Sequence, residues 1–284
     1  MIWRGTGFGK LILFGEHAVV YGHKAIAASL PMSTSVTIRA IEGPTTTTAA
    51  HVDVRLMQLL TLALPQTGLQ VEIEGNLPLG RGLGSSAALS VALLRAKSEM
   101  NNSPLSSEQL QSDALDLERI FHGNPSGIDN AVAAERGVFL YTKTGGSSRI
   151  EFPDTPIVIL DSMEQGNTKS MVEGVAANIA VNRTHLTKLG EITESALEYI
   201  DNAIVLGELM NKAHAHLKEI GVSNARLDEL VDFSIANGAV GAKLSGAGGG
   251  GVVVALTPCG GERLIAEASS RGIKHYTCTL SSRI

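Results

Sequence analysis

Residues 78–87 read Pro-Leu-Gly-Arg-Gly-Leu-Gly-Ser-Ser-Ala, and the glycines stop where a run dominated by Ala, Leu, Val and Ser begins. That junction constrains the fold more than any other stretch. Gly80, Gly82 and Gly84 let the backbone take positive φ and come close to a ligand. The run from Ser85 suits a helix buried on most of its faces, so a loop must enter a core helix directly. The start of such a helix offers free N–H groups and the positive end of its dipole, an anion site in waiting. A plain tight turn with a serine cap is the other reading that three glycines leave open. No lysine follows the last glycine, so this is not a Walker A loop. The cation for a bound phosphate must then come from elsewhere, and a magnesium ion held by a hydroxyl and a carboxylate would supply it.

The rest of the composition narrows the class. A chain of 284 residues, 44% of them apolar, can bury a substantial core in one large domain or two ordinary ones. The net charge of −5 and the lack of any Lys/Arg-rich run exclude nucleic acid as the expected partner. Cys259 and Cys278 lie too far apart for a zinc spacing, and two cysteines make no disulfide framework, which fits a reducing compartment. The start, MIWRGTGFGK, lacks the pattern of a signal peptide, and no stretch has the length of apolar sequence that spans a bilayer. A soluble, cytoplasmic protein with no membrane partner is the expectation.

Strands are predicted at Leu11–Phe14, 34–41 and 69–73, and helices over 51–64, from Ser85 onward, and over 106–121 with Ser107 as one candidate N-cap. Strands follow at 137–142 and 156–161, separated by a Gly/Ser-rich turn at 145–148, and long helices at 167–183 and 191–218. The last part reads helix 224–236, strand 240–245, a glycine loop, strand 251–256, helix 261–271 and strand 273–279. Thr45–Thr48 reads as a surface loop. Strands and helices mingle without a strict βαβ rhythm, so the fold class is α+β, with a boundary near 155 where Pro153 and Pro156 bracket a turn.

Three further stretches carry chemistry. KLSGAGGGG at 243–251 has a formal GxGxxG match, but a strand follows it directly, which disfavours dinucleotide binding and leaves a loop that meets a ligand or the first glycine loop. In KLILFGEHAVVYG at 10–22, Lys10, Glu16 and His17 sit on or beside an apolar strand, where a charge needs a partner or a task. ERIFHGNPSGIDN at 118–130 places Glu118 and Asp129 at the two ends of a turn.

Taken together and in this order, these stretches resemble the GHMP kinase superfamily of small-molecule kinases, and GEHAVVYG and HGNPSGIDN are similar to its mevalonate kinases. The resemblance implies an S5-like N-terminal domain over 1–155, a ferredoxin-like C-terminal domain over 156–284, and an active site in the cleft between them. It implies ATP-dependent phosphorylation of the primary hydroxyl of (R)-mevalonate to 5-phosphomevalonate in isoprenoid biosynthesis, with Mg2+ as cofactor and a homodimer as the assembly. Another acceptor within the superfamily (a mevalonate-3-kinase, phosphomevalonate kinase or sugar kinase) and a non-catalytic sensor on the same fold are the alternatives.

The implied roles fall on named residues. Asp129 corresponds to the catalytic aspartate and Lys10 to the lysine beside it and the substrate hydroxyl. Glu16, His17 and Thr168 correspond to substrate-side groups. The backbone of Gly80, Arg81, Gly82, Leu83, Gly84, Ser85 and Ser86 cradles the ATP phosphates, and Ser86 with Glu118 holds magnesium. The loop 246–251 is expected to steady the phosphate loop, and the Gly-Asn-Pro-Ser-Gly segment to reverse the chain so that both acids face one site. An alcohol attacks phosphorus well only as its proton leaves, so a carboxylate such as Asp129 suits the chemistry. Two departures stand out: Arg81 replaces a small residue, either to bind phosphate or to point outward, and Gln165-Gly166-Asn167 lacks the arginine usual before Thr168.

Overall fold

Two long strands open the computed structural model, which describes residues 1–122 and 127–282. They are β1 (Ile2–Phe14) and β2 (Ala25–Ala40), with a single 3-10 turn at Ala18–Tyr21 between them. There follow β3 (Thr46–Thr48), α1 (Val54–Ala63), β4 (Leu69–Gly75), α2 (Ser85–Met100), α3 (Ser107–His122), α4 (Ile128–Ala134), β5 (Val138–Thr142) and β6 (Gly146–Ile150). The remainder is β7 (Thr155–Asp161), α5 (Thr168–Ala177), α6 (Ile179–Glu198), α7 (Ala203–Glu219), α8 (Ala225–Ala236), β8 (Gly241–Ser245), β9 (Val252–Leu256), α9 (Glu262–Ser270) and β10 (His275–Leu280). The chain folds into two units, one of residues 1–10, 30–78 and 84–136, the other of residues 11–29, 79–83 and 137–284.

In the first unit, β4 pairs with β2 antiparallel, Ile38 opposite Val71, and with β3 in parallel. From Leu30 onward, buried and half-exposed residues alternate along β2, the period of a strand with one face on a core. Val36, Ile38 and Val71 supply that face, and Leu59, Val91 and Leu117 from α1, α2 and α3 close over it. The approach of α2 to β1 depends on glycine. A Cβ at Gly5 would fall 2.0 Å from the Ala92 carbonyl, and one at Gly7 2.0 Å from that of Ala88. Strand and helix therefore meet backbone to backbone. Arg95 of α2 donates to the carbonyls of Thr6 on β1 and Ala134 on α4, so one guanidinium ties three elements.

In the second unit, β7 lies between β10 and β9, and β9 pairs on with β8, all antiparallel. Helices α7 and α8 pack on β8, and Gly207 and Gly241 bring α7 against that strand. The mixture of largely antiparallel sheets and helices is the α+β class that the sequence implied.

Local expectations differ in several places, beginning with β1 and β2, which start at Ile2 and Ala25, well ahead of the expected strands, and with α4, which was not expected. Residues 145–148 are not only a turn: they lead into β6, whose exposed Gly-Ser-Ser-Arg sequence hides the strand and whose partner is β5. Thr46–Thr48 is a short strand, held by β4. The cap of α3 is Ser106, whose Oγ accepts from the Gln109 N–H, while Ser107 donates to Glu135. The two long helical patterns are three helices: one break falls at Asn178 and the other before Asn202, whose side chain caps α7 by accepting from the Val205 N–H. The chain reversal expected at residues 123–126 lies outside the described residues.

Candidate active site

The first unit gathers four of the residues singled out by sequence. Asp129 stands on the first turn of α4, and its Oδ1 lies 3.0 Å from the Nζ of Lys10, near the end of that unit's part of β1. Lys10 is buried while the Asp129 side chain keeps 24% of its surface, so the pair is open from the aspartate side. The stem of Lys10 runs over Gly84, where a Cβ would meet its Cγ at 2.7 Å. Gly84 takes φ 75° as the N-cap of α2 and has no side chain to cap it. A helix start with no side-chain cap is an anion site of the kind that the glycine run implied.

Glu118, on α3, is 1% exposed and accepts a hydrogen bond from the Ser86 hydroxyl at 3.4 Å. Burial first, and then the charge on Asp129, push its carboxyl up to about 8. Lys10, Ser86 and Asn130 favour the ionised form without offsetting that burial. Its Oε2 makes no hydrogen bond of good geometry among the described residues. A buried carboxyl with a hydroxyl beside it offers the hard oxygen donors that magnesium takes, so these residues fit that ion. No group of three or more His, Cys, Asp or Glu side chains suited to a metal occurs among the described residues, so phosphate oxygens and water would have to complete the shell.

The second unit holds the substrate-side candidates. Glu16 is 1% exposed and forms an ion pair with Lys243, which is fully buried on β8 and also donates to the Leu244 carbonyl at 2.8 Å. His17 follows at φ 58°, a conformation that costs a non-glycine residue about 1–3 kcal/mol and persists only where its surroundings hold it. Its Nε2 lies 2.9 Å from the carbonyl of Ala247 in the second glycine loop. A carbonyl only accepts, so Nε2 carries the proton, and burial lowers the ring's pKa. The ring is thus neutral, with Nδ1 able to accept. Thr168 stands apart as the exposed first residue of α5, behind the Asn167 cap. Residues 79–83 belong to this unit too. There Leu83 is buried, and Arg81 pairs with Asp161 at the end of β7.

Lys243, Asp161 and Arg95 escaped the sequence reading. Lys243 had a usable signal, a lone charge in an apolar strand, the argument already applied to Lys10.

Residues 49–138 match the family model for the GHMP kinases N-terminal domain, and residues 196–274 that for the GHMP kinases C-terminal. A mevalonate kinase of Pyrococcus abyssi is 34% identical to the chain, over 91% of this chain and 89% of its own length. The chain belongs to the GHMP kinase family. As a GHMP kinase it is an ATP-dependent kinase, with the two-domain fold of that family. Two solved structures agree along nearly the whole length. L. major mevalonate kinase in complex with R-mevalonate superposes with a TM-score of 0.86 at 28% identity, covering 99% of this chain and 97% of that one. The Methanococcus jannaschii mevalonate kinase gives 0.85 at 25% identity, covering 99% and 98%. Among the described residues no helix is long and apolar enough to cross a membrane.

Proposed function

We propose that this GHMP kinase transfers the γ-phosphoryl group of ATP to the primary hydroxyl of (R)-mevalonate, giving 5-phosphomevalonate. The Lys10–Asp129 pair carries the reading, because it sets a solvent-open carboxylate and a buried ammonium beside the uncapped start of α2. Mevalonate kinases as relatives name the acceptor.

The chemistry follows from these groups. The first N–H groups of α2 and the backbone of residues 80–86 hold phosphate oxygens. The acceptor oxygen bonds to the γ-phosphorus as the bond to the bridging oxygen breaks, and ADP departs. The proton of the hydroxyl passes to the Asp129 carboxylate, a transfer that supplies roughly 10² to 10⁴-fold in rate. The Lys10 ammonium offsets the negative charge that develops on the attacking oxygen and on the phosphoryl group. Ser86 and Glu118 would hold magnesium, which neutralises phosphate charge when bound. Nδ1 of His17 accepts from a substrate hydroxyl, Thr168 offers a further polar contact, and Glu16 holds the turn that presents His17. The reading includes a cytoplasmic homodimer, which sedimentation and cell fractionation test.

The deciding experiment measures ADP release from ATP with (R)-mevalonate, phosphomevalonate or galactose, and locates the new phosphate by 31P NMR. Turnover with mevalonate and a phosphate on its primary carbon are expected. Turnover only with galactose or phosphomevalonate overturns the acceptor, and phosphate on the tertiary hydroxyl overturns the position. Asp129→Asn should lower kcat by about 10² to 10⁴-fold while ATP still binds.

A further inference from the structure

Arg81 is the bulky residue of the phosphate loop, and its guanidinium has two possible tasks: to reach outward to a phosphate or to hold the loop. The structure commits it. Its Nε lies 3.2 Å from Oδ2 of Asp161, a side chain with no exposed surface, in an ion pair whose angle is not that of a hydrogen bond. Arg81 is the one cation paired with Asp161 among the described residues, and the other carboxylate oxygen accepts from the Met163 N–H at 2.8 Å. Turning Arg81 toward a ligand would leave a buried carboxylate without a cation, held among the described residues by the Met163 N–H alone. That loss exceeds what one charge-assisted hydrogen bond in a solvent-open loop returns.

The surroundings of Asp161 show what the pair holds. The next residue, Ser162, donates from its hydroxyl at 2.7 Å and from its N–H at 2.9 Å to the Gly251 carbonyl, and Gly251 donates back to the Glu164 carbonyl at 2.9 Å. Gly251 also backs on Arg81: a Cβ there would fall 3.0 Å from the Arg81 carbonyl oxygen. Gly80 faces the Gln165 side chain at a similar distance. Residues 161–165 thus form a bracket after β7 that holds the second glycine loop through its backbone and the first through the Arg81 side chain.

We propose that the Arg81 side chain has a positioning role: paired with Asp161, it sets the backbone of residues 80–83 for ATP phosphates while the guanidinium itself touches none of them. This rests on the ATP-binding reading of the loop given above.

Steady-state kinetics and amide hydrogen exchange on Arg81→Ala, Arg81→Lys, Asp161→Asn and the double variant Arg81→Ala/Asp161→Asn test the proposal. Arg81→Ala and Asp161→Asn should each raise the KM for MgATP tenfold or more with little change in the acceptor KM. The double variant should be no worse than either, and Arg81→Lys should recover part of the loss. In the nucleotide-free protein, both single variants should speed exchange at residues 80–83. If Arg81→Ala weakens ATP while Asp161→Asn leaves the KM unchanged or lowers it, Arg81 grips phosphate directly and the proposal fails. Unchanged exchange at 80–83 in Arg81→Ala also overturns it, and that readout decides if Asp161→Asn does not fold. A wild-type protein that binds no nucleotide defeats the kinase reading instead, while exchange still reports on the Arg81–Asp161 pair.

Discussion

Replacing Glu118 by glutamine should make the ligand-free protein more stable at alkaline pH while impairing the kinase. In the unfolded chain its carboxyl titrates near 4.5, and in the fold it is pushed up to about 8. The folded state therefore holds this proton more tightly than the unfolded one. Stability from that difference is fully present below pH 4.5 and is lost as pH rises through 8. At 1.36 kcal/mol per pKa unit the whole loss is about 5 kcal/mol, of which about 2 kcal/mol falls between pH 6 and pH 8. The side chain is 1% exposed, so solvent screening takes little away. Glutamine has no proton to lose and keeps an acceptor for Ser86. Urea unfolding at pH 6, 7 and 8, without metal or nucleotide, should show the wild type falling more steeply than Glu118→Gln by about 2 kcal/mol over that span. At pH 8, saturating MgADP should stabilise the wild type more than the variant. Parallel pH profiles for the two proteins would refute the argument, because Glu118 would then be ionised in the fold at no cost.

Other perturbations probe the second unit and the packing beneath the site. Lys243→Met leaves Glu16 buried without its cation and should cost about 3–5 kcal/mol in chemical denaturation, whereas Glu16→Gln/Lys243→Met should recover most of it; losses that simply add would show the two side chains to be independent. Gly7→Ala drives a methyl group into the Ala88 carbonyl and should cost about 3 kcal/mol by the same measurement, so a neutral result would mean β1 and α2 can part. For His17, 15N NMR at pH 7 should find the neutral ring with its proton on Nε2, and a charged ring at that pH would contradict the burial that lowers its pKa.

The parts of the molecule legible in the sequence share a physical reason. Helices α1, α2 and α8 and the strands of the last sheet advertise themselves through periodic burial or a continuous apolar run, and the structure places them within a few residues of expectation. β6 and β3 lacked any such pattern, because both are largely exposed and gain their strand geometry from a neighbour's hydrogen bonds. The break before α7 hid inside an apolar period that continues across Tyr199 to Asn202. Lys10, Ser86, Glu118 and Asp129 could be listed from motifs, and the resemblance already set Lys10 beside Asp129, yet the burial of Glu118 and the Oε2 that finds no hydrogen bond among the described residues belong to the fold alone. The lone charge of Lys243 in an apolar strand called for a partner without naming one, and Asp161 gave no local signal, because Glu16 and Arg81 lie far along the chain.

The glycines of β1 bear on how such an enzyme can change. Because Gly5 and Gly7 set strand and helix main chain against main chain, the spacing between Lys10 and the start of α2 does not depend on the volume of any side chain in that seam. The apolar interior around α1 and α3 is then free to drift, growing here and shrinking there over many generations or rounds of laboratory selection, while the reacting groups keep their alignment. The seam itself has no such latitude, and a library that spares those two glycines should retain turnover across far more altered interiors than one that does not.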